Sequence, residues 1–147
     1  MIHILCDEKY KYDVVSIFQL FIPHEKPEFL PSGTDKAGIS GDYIALFSSD
    51  GKAYAEISLN GKSSYCCDEA ADGLKHGFAR AVYSCFSDIT GIKPGWGILT
   101  GVRPAKLMRR LIEAEGEQRA SDTMRQNMMV SDKKIELCRS VAENERR

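Results

Sequence analysis

The residue types best suited to binding chemistry lie in one stretch, Pro94-Gly95-Trp96-Gly97-Ile98-Leu99-Thr100-Gly101-Val102-Arg103-Pro104-Ala105-Lys106. It holds the chain's only Trp and leads into a helix with Arg103 and Lys106 at its start, followed by Arg109 and Arg110. From Ile89 to Ile112 there are five basic residues (Lys93, Arg103, Lys106, Arg109, Arg110) and no acidic one; with a net charge of −1 overall, the rest of the chain carries −6. A helix N-terminus offers free N–H groups and the positive end of the helix dipole, so a Gly loop feeding it suits phosphate or carboxylate. A Trp beside an Arg suits stacking on a flat ring. The same residues also have a plainer use. Gly97 and Gly101 allow tight turns, Trp96 plugs a core, Arg103 pairs with a nearby carboxylate, and Arg109 and Arg110 form a solvated helix face. The candidate substrate-binding or docking residues are therefore Trp96, Gly97, Thr100, Gly101, Arg103 and Lys106, and no catalytic residue is assigned.

Elsewhere the chemistry is sparse. Asp7-Glu8, Glu113 with Glu115, and Glu143 with Glu145 read as surface carboxylates, and His76, between Leu74 and Phe78, as a structural histidine. Ser48-Ser49 and Ser63-Ser64 have no base in view, and no nucleophile elbow, dinucleotide fingerprint or Walker loop occurs. The five cysteines (Cys6, Cys66, Cys67, Cys85, Cys138) form no C-x-x-C, and the three histidines are far apart. No metal site is expected in this chain; the thiols read as reduced and mostly buried, as in a reducing compartment.

The elements that position these residues follow from patterning. At 147 residues, 43% hydrophobic and 28% charged, the chain is long and apolar enough for a packed core. No apolar run approaches the roughly 20 residues of a membrane helix. The start, Met1 to Asp7, lacks the features of a signal peptide, so a cytoplasmic protein without membrane partners is expected. Residues 2–6 read as a strand and Tyr12 to Ile22 as a helix with Val14, Val15, Phe18, Phe21 and Ile22 on one stripe, followed by a long Pro/Gly loop to Gly41. Tyr43–Phe47, Ala53–Leu59 and Lys62–Cys66, joined by Asp50-Gly51 and Asn60-Gly61, form a three-stranded antiparallel meander. Asp68 would cap the longest helix, Glu69 to Thr90, with Gly91 closing it. Pro104 opens a helix with Leu107, Met108, Leu111 and Ile112 inward and Gly116 at its end. Ser121 and Ser131 would cap two more, the last with Ile135, Cys138, Val141 and Ala142 inward. The fold class is α+β: an antiparallel sheet packed by a long helix, residues 1–91, with a connector and helical extension over 92–147.

The stretch Trp96-Gly97-Ile98-Leu99-Thr100-Gly101-Val102-Arg103-Pro104-Ala105-Lys106-Leu107 resembles the W-G-x-L-T-G-x-R-P-x-K-L signature in the N-terminal region of HemZ-like coproporphyrinogen dehydrogenases. These are radical-SAM proteins related to oxygen-independent coproporphyrinogen III oxidase. Thr90-Gly91 at the end of a long helix and Val130-Ser131-Asp132-Lys133-Lys134 before the last one agree with it, and the resemblance runs over roughly residues 69–147. It implies a haem-biosynthetic oxidoreductase in which a C-x-x-x-C-x-x-C motif holds a [4Fe–4S] cluster that cleaves S-adenosylmethionine. No cysteine here matches that motif. The expectation is an accessory N-terminal domain, inactive alone, leading toward a radical-SAM domain beyond Arg147. Its partners would be that domain and an anionic tetrapyrrole, whose propionates suit the local +5.

Two other readings use the same residues. An RNA- or nucleotide-binding module would exploit the basic stretch, against a net acidic remainder and with no aromatic pair expected on the strands. Nucleic acid is thus the less expected partner. A purely structural docking domain would bind no ligand.

Overall fold

The computed structural model describes residues 2–100 and 103–145, which divide into two compact units, 1–93 and 94–147.

In the first unit, β1 (Ile2–Leu5) leads through a short 3-10 turn into α1 (Lys11–Phe21), then β2 (Glu28–Leu30), β3 (Asp42–Ser49), β4 (Lys52–Leu59), β5 (Lys62–Asp68) and α2 (Leu74–Thr90). The five strands form one sheet in the order β2-β1-β3-β4-β5. The α+β class is as expected, and β3, β4 and β5 are antiparallel, with Asp50 (φ 53°), Gly51 (76°), Asn60 (51°) and Gly61 (81°) in the left-handed region that their turns demand. The sheet is mixed rather than wholly antiparallel, because β1 pairs in parallel with both β2 and β3. Strand β2 lies inside the segment expected to be loop. Three residues at a sheet edge, between Pro27 and Pro31, are too few to show an alternating pattern.

One face of the sheet carries Ile2, Ile4, Ile44, Leu46, Ala53, Ala55 and Ile57, all buried. Val14, Ile17 and Phe18 of α1 and Phe78, Val82, Cys85 and Phe86 of α2 complete this core, and Phe21 stacks on Phe86 with centroids 4.8 Å apart. The stripe of α1 therefore centres on Val14, Ile17 and Phe18, and Val15 is only half-buried. Helix α2 starts five residues later than expected. The Asp68 carboxylate accepts from the Ala70 N–H (2.8 Å) and binds Arg80, and Gly73 precedes the first helical turn. At the other end, Gly91 (φ 74°) closes the helix as expected, its N–H bonding the Ser87 carbonyl.

In the second unit, α3 (Pro104–Glu115), α4 (Glu117–Gln126) and α5 (Asp132–Glu145) surround Met108, Ala120, Met124, Val130, Ile135 and Cys138. Pro104 opens α3, and the Ser131 hydroxyl accepts from the Lys134 N–H at the start of α5, as expected. Ser121 is not a cap: Gly116 takes the N-cap position of α4, and Ser121 is buried in mid-helix. Ala142 is buried as expected, whereas Val141 is exposed.

Candidate functional site

The Trp96–Lys106 segment divides into a packed half and an exposed half. In the packed half, the Gly97 N–H bonds the Pro94 carbonyl (3.1 Å), and the Ile98 N–H bonds the Met128 carbonyl (2.9 Å). The Ser131 N–H bonds the Gly95 carbonyl (2.8 Å), so residues 95–98 lie backbone to backbone against residues 128–131. Gly97 sits at φ 59°, and a Cβ there would collide with the Met128 carbonyl oxygen and the Met129 carbonyl group. Only glycine satisfies both demands. Trp96 is half-buried against the Met108 cluster, and the Lys134 ammonium lies 5.2 Å from its ring centroid. The structural use of Trp96 and Gly97 is thus observed directly, and the indole already has an apolar contact and a cation. Thr100 is half-buried, and Gly101 lies outside the described residues.

The exposed half is the start of α3. Arg103 is the extended N-cap residue (φ −87°, ψ 110°), and the first intrahelical bond runs from the Leu107 N–H to its carbonyl (3.1 Å). Pro104 has no N–H, which leaves the N–H groups of Ala105 and Lys106 without a bond inside the helix. Arg103, Lys106 and Arg110 are spaced by three and four, so they share one side of α3, opposite Met108. All three are exposed and have no hydrogen bond or ion pair among the described residues, whereas Arg109 is half-buried and partnered. The useful group is therefore Arg103, Lys106 and Arg110. Arg110, expected on a plain solvated face, joins Arg103 and Lys106, and its spacing of four from Lys106 is the sequence signal for it.

The strands hold a second cluster that contradicts the expectation of no aromatic pair. Phe47 and Tyr54 face each other across β3 and β4 with parallel rings 4.8 Å apart, and Tyr65 of β5 lies 6.1 Å from Tyr54. The rings lie on the sheet face away from α2, and Phe47 and Tyr65 are exposed. Their contacts are chiefly with one another, as in stabilising cross-strand pairs.

Among the described residues, no three His, Cys, Asp or Glu side chains gather as a ligand group. Burial raises the Cys6, Cys85 and Cys138 thiols, which keeps them protonated and weak as ligands. Among the described residues, no helix is long and apolar enough to cross a membrane.

No family model matches this sequence. No solved structure matches it either. A stretch of 78 residues, 52% of this chain, is 27% identical to the oxygen-independent coproporphyrinogen-III oxidase-like protein HemZ of Bacillus subtilis (strain 168), of whose length it spans 16%.

Proposed function

We propose that this chain is an accessory region of a cytoplasmic, radical-SAM, coproporphyrinogen III oxidase-like protein of haem biosynthesis, and that α3 meets the carboxylates of an anionic partner. The observation that carries this reading is the basic stripe of Arg103, Lys106 and Arg110, exposed and without partners among the described residues. Cations held on one helix side without internal carboxylates suit the propionates of a tetrapyrrole or an acidic rim of the catalytic barrel. Similarity to HemZ supports the class. The donor set of this chain does not fit a [4Fe–4S] cluster, so that cluster and S-adenosylmethionine belong in this reading to the rest of the parent protein.

The test reverses the charges together, Arg103→Glu, Lys106→Glu and Arg110→Glu. Titration of coproporphyrin III into the chain, at roughly 50 and 300 mM salt, is expected to show salt-sensitive binding that weakens at least about tenfold in the variant. The melting temperature should hold, because all three side chains are solvated. If the chain binds no porphyrin, the same substitutions in the full-length parent distinguish docking from no role. Lost turnover with unchanged folding supports barrel contact, and unchanged turnover overturns the proposal.

A second reading, an RNA- or nucleotide-binding module, draws on the aromatic cluster of Phe47, Tyr54 and Tyr65 together with the basic stretch. The rings' mutual packing leaves less face for bases than a stacking sheet offers. Salt-sensitive binding of single-stranded RNA, lost in Tyr65→Ala, would favour this reading.

A further inference from the structure

The first unit contains a crevice unrelated to the α3 stripe. Strand β1 lies between two parallel neighbours, and the chain leaves its carboxyl end toward β2, while it leaves β3 toward β4 on the other side. Connections that diverge from adjacent parallel strands open a gap at the strand ends, where ligands of open sheets bind. Two cavities occupy this edge. One of about 210 Å³ lies between the ends of β1 and β3, bounded by Asp7, Tyr10, Ser32, Phe47, Ser48 and Phe78. The other, of about 370 Å³, lies toward β2 and is bounded by Asp7, Glu8, Lys11, Phe29, Leu30 and Pro31. Cys6, Asp7 and Ser32 line both.

The walls differ in chemistry. Tyr10 and Phe78 meet edge to face at 4.8 Å and form an aromatic wall. Phe47 borders the opening only at the end of β3, its ring lying on the other sheet face, and Phe29, Leu30 and Pro31 form an apolar wall. Between them stands the exposed Asp7 carboxylate, one oxygen of which accepts the Ser32 hydroxyl at 3.0 Å. Its other oxygen has no hydrogen-bond partner among the described residues. The Lys11 ammonium lies 4.4 Å from the centroid of the Phe29 ring. Cys6 is only 7% exposed, and its thiol has no hydrogen-bond partner among the described residues.

We infer that this crevice binds a nucleoside, with the planar base between the aromatic and apolar walls and the sugar hydroxyls donating to Asp7. An aspartate that already accepts one hydroxyl has the acceptor chemistry for a vicinal diol, and the larger cavity falls in the size range of small-molecule sites. Asp7, Glu8 and Lys11 sum to −1, so the neutral nucleoside is preferred over its phosphate. Burial, reinforced by Asp7, raises the Cys6 thiol, so it serves as wall and not as nucleophile.

Adenosine is titrated into the full chain, with amide shifts followed by NMR. Shifts confined to residues 6–11, 32–33 and 46–48 are expected, with binding at least about tenfold weaker in Asp7→Asn. Adenosine monophosphate should bind more weakly than adenosine, and Lys106→Ala should leave both unchanged. The inference is overturned by no shift up to about 5 mM adenosine, by shifts centred elsewhere, by equal affinity in a folded Asp7→Asn variant, or by adenine alone binding as tightly as adenosine. None of these outcomes bears on coproporphyrin binding, so the two proposals fail separately.

Discussion

Gly97→Ala is expected to destabilise the helical unit by about 3–5 kcal/mol, enough to unfold a marginal cluster of three short helices. Two costs add. Alanine in the left-handed region costs about 1–2 kcal/mol. The remainder comes from steric overlap, because the atoms in the way are the Met128 and Met129 carbonyls and not the end of a flexible side chain. To admit the methyl, residues 95–98 must separate from 128–131, which breaks the bonds from Ile98 to Met128 and from Ser131 to Gly95. Trp96 is the chain's only Trp and lies in this unit, so its emission during urea unfolding reports the effect. Gly116→Ala, in the same unit, is the control. Its φ is 86°, but a Cβ there meets nothing within 4 Å, so it should cost only the left-handed backbone term of about 1–2 kcal/mol. Equal urea midpoints for the two variants would show that backbone contact is not what selects glycine at position 97.

The features legible in the sequence were those encoded by local chemistry. Asp50-Gly51 and Asn60-Gly61 specify their turns because few residue pairs tolerate two successive positive φ values. Pro104 and Gly91 mark helix ends for equally local reasons. What stayed hidden depends on residues far apart in sequence. Strand β2 exists because β1 offers it an edge, and three residues have no periodicity of their own. Asp68 looked like a helix cap because it precedes a helical stripe. Its actual partners, Arg80 and the Ala70 N–H, hold it in a turn ahead of the helix. The candidate site shows the same division. The Gly and Trp of the 94–106 stretch were conspicuous by type, but only the backbone path of residues 128–131 shows that Gly97 and Trp96 serve packing. Arg103, Lys106 and Arg110 then remain as the exposed cations of that stretch without a partner among the described residues. The Asp7 crevice left no motif, since its walls come from three strand ends, the connections that follow β1 and β2, and residues of α1 and α2.

Arg80→Met is expected to cost about 3–5 kcal/mol, because it leaves two carboxylates facing each other without their cation. Arg80 is 8% exposed, and its guanidinium makes two bonds to Asp68 (3.0 and 2.9 Å) and two to Asp72 (2.9 and 2.6 Å). These bonds tie the end of β5 and the turn before α2 to the helix itself. They also set an acid limit. The Arg80 hydrogen bonds bring Asp72 down from 3.8 to about 2 against the opposing effect of burial. Burial alone would raise Asp68, but the bonds from Arg80 and from the Ala70 N–H lower it overall. A carboxylate whose pKa falls on folding contributes stability above its unfolded value and loses it as pH drops toward the folded one. The window therefore runs from 3.8 down to about 2. Urea midpoints of the native chain should fall steeply over that range. Arg80→Met should start lower near neutral pH and change less through the window, because its carboxylates no longer favour the charged form. If the variant keeps the native slope, the acid sensitivity arises from other carboxylates, and the ties from Arg80 to Asp68 and Asp72 do not set the pH limit of this unit.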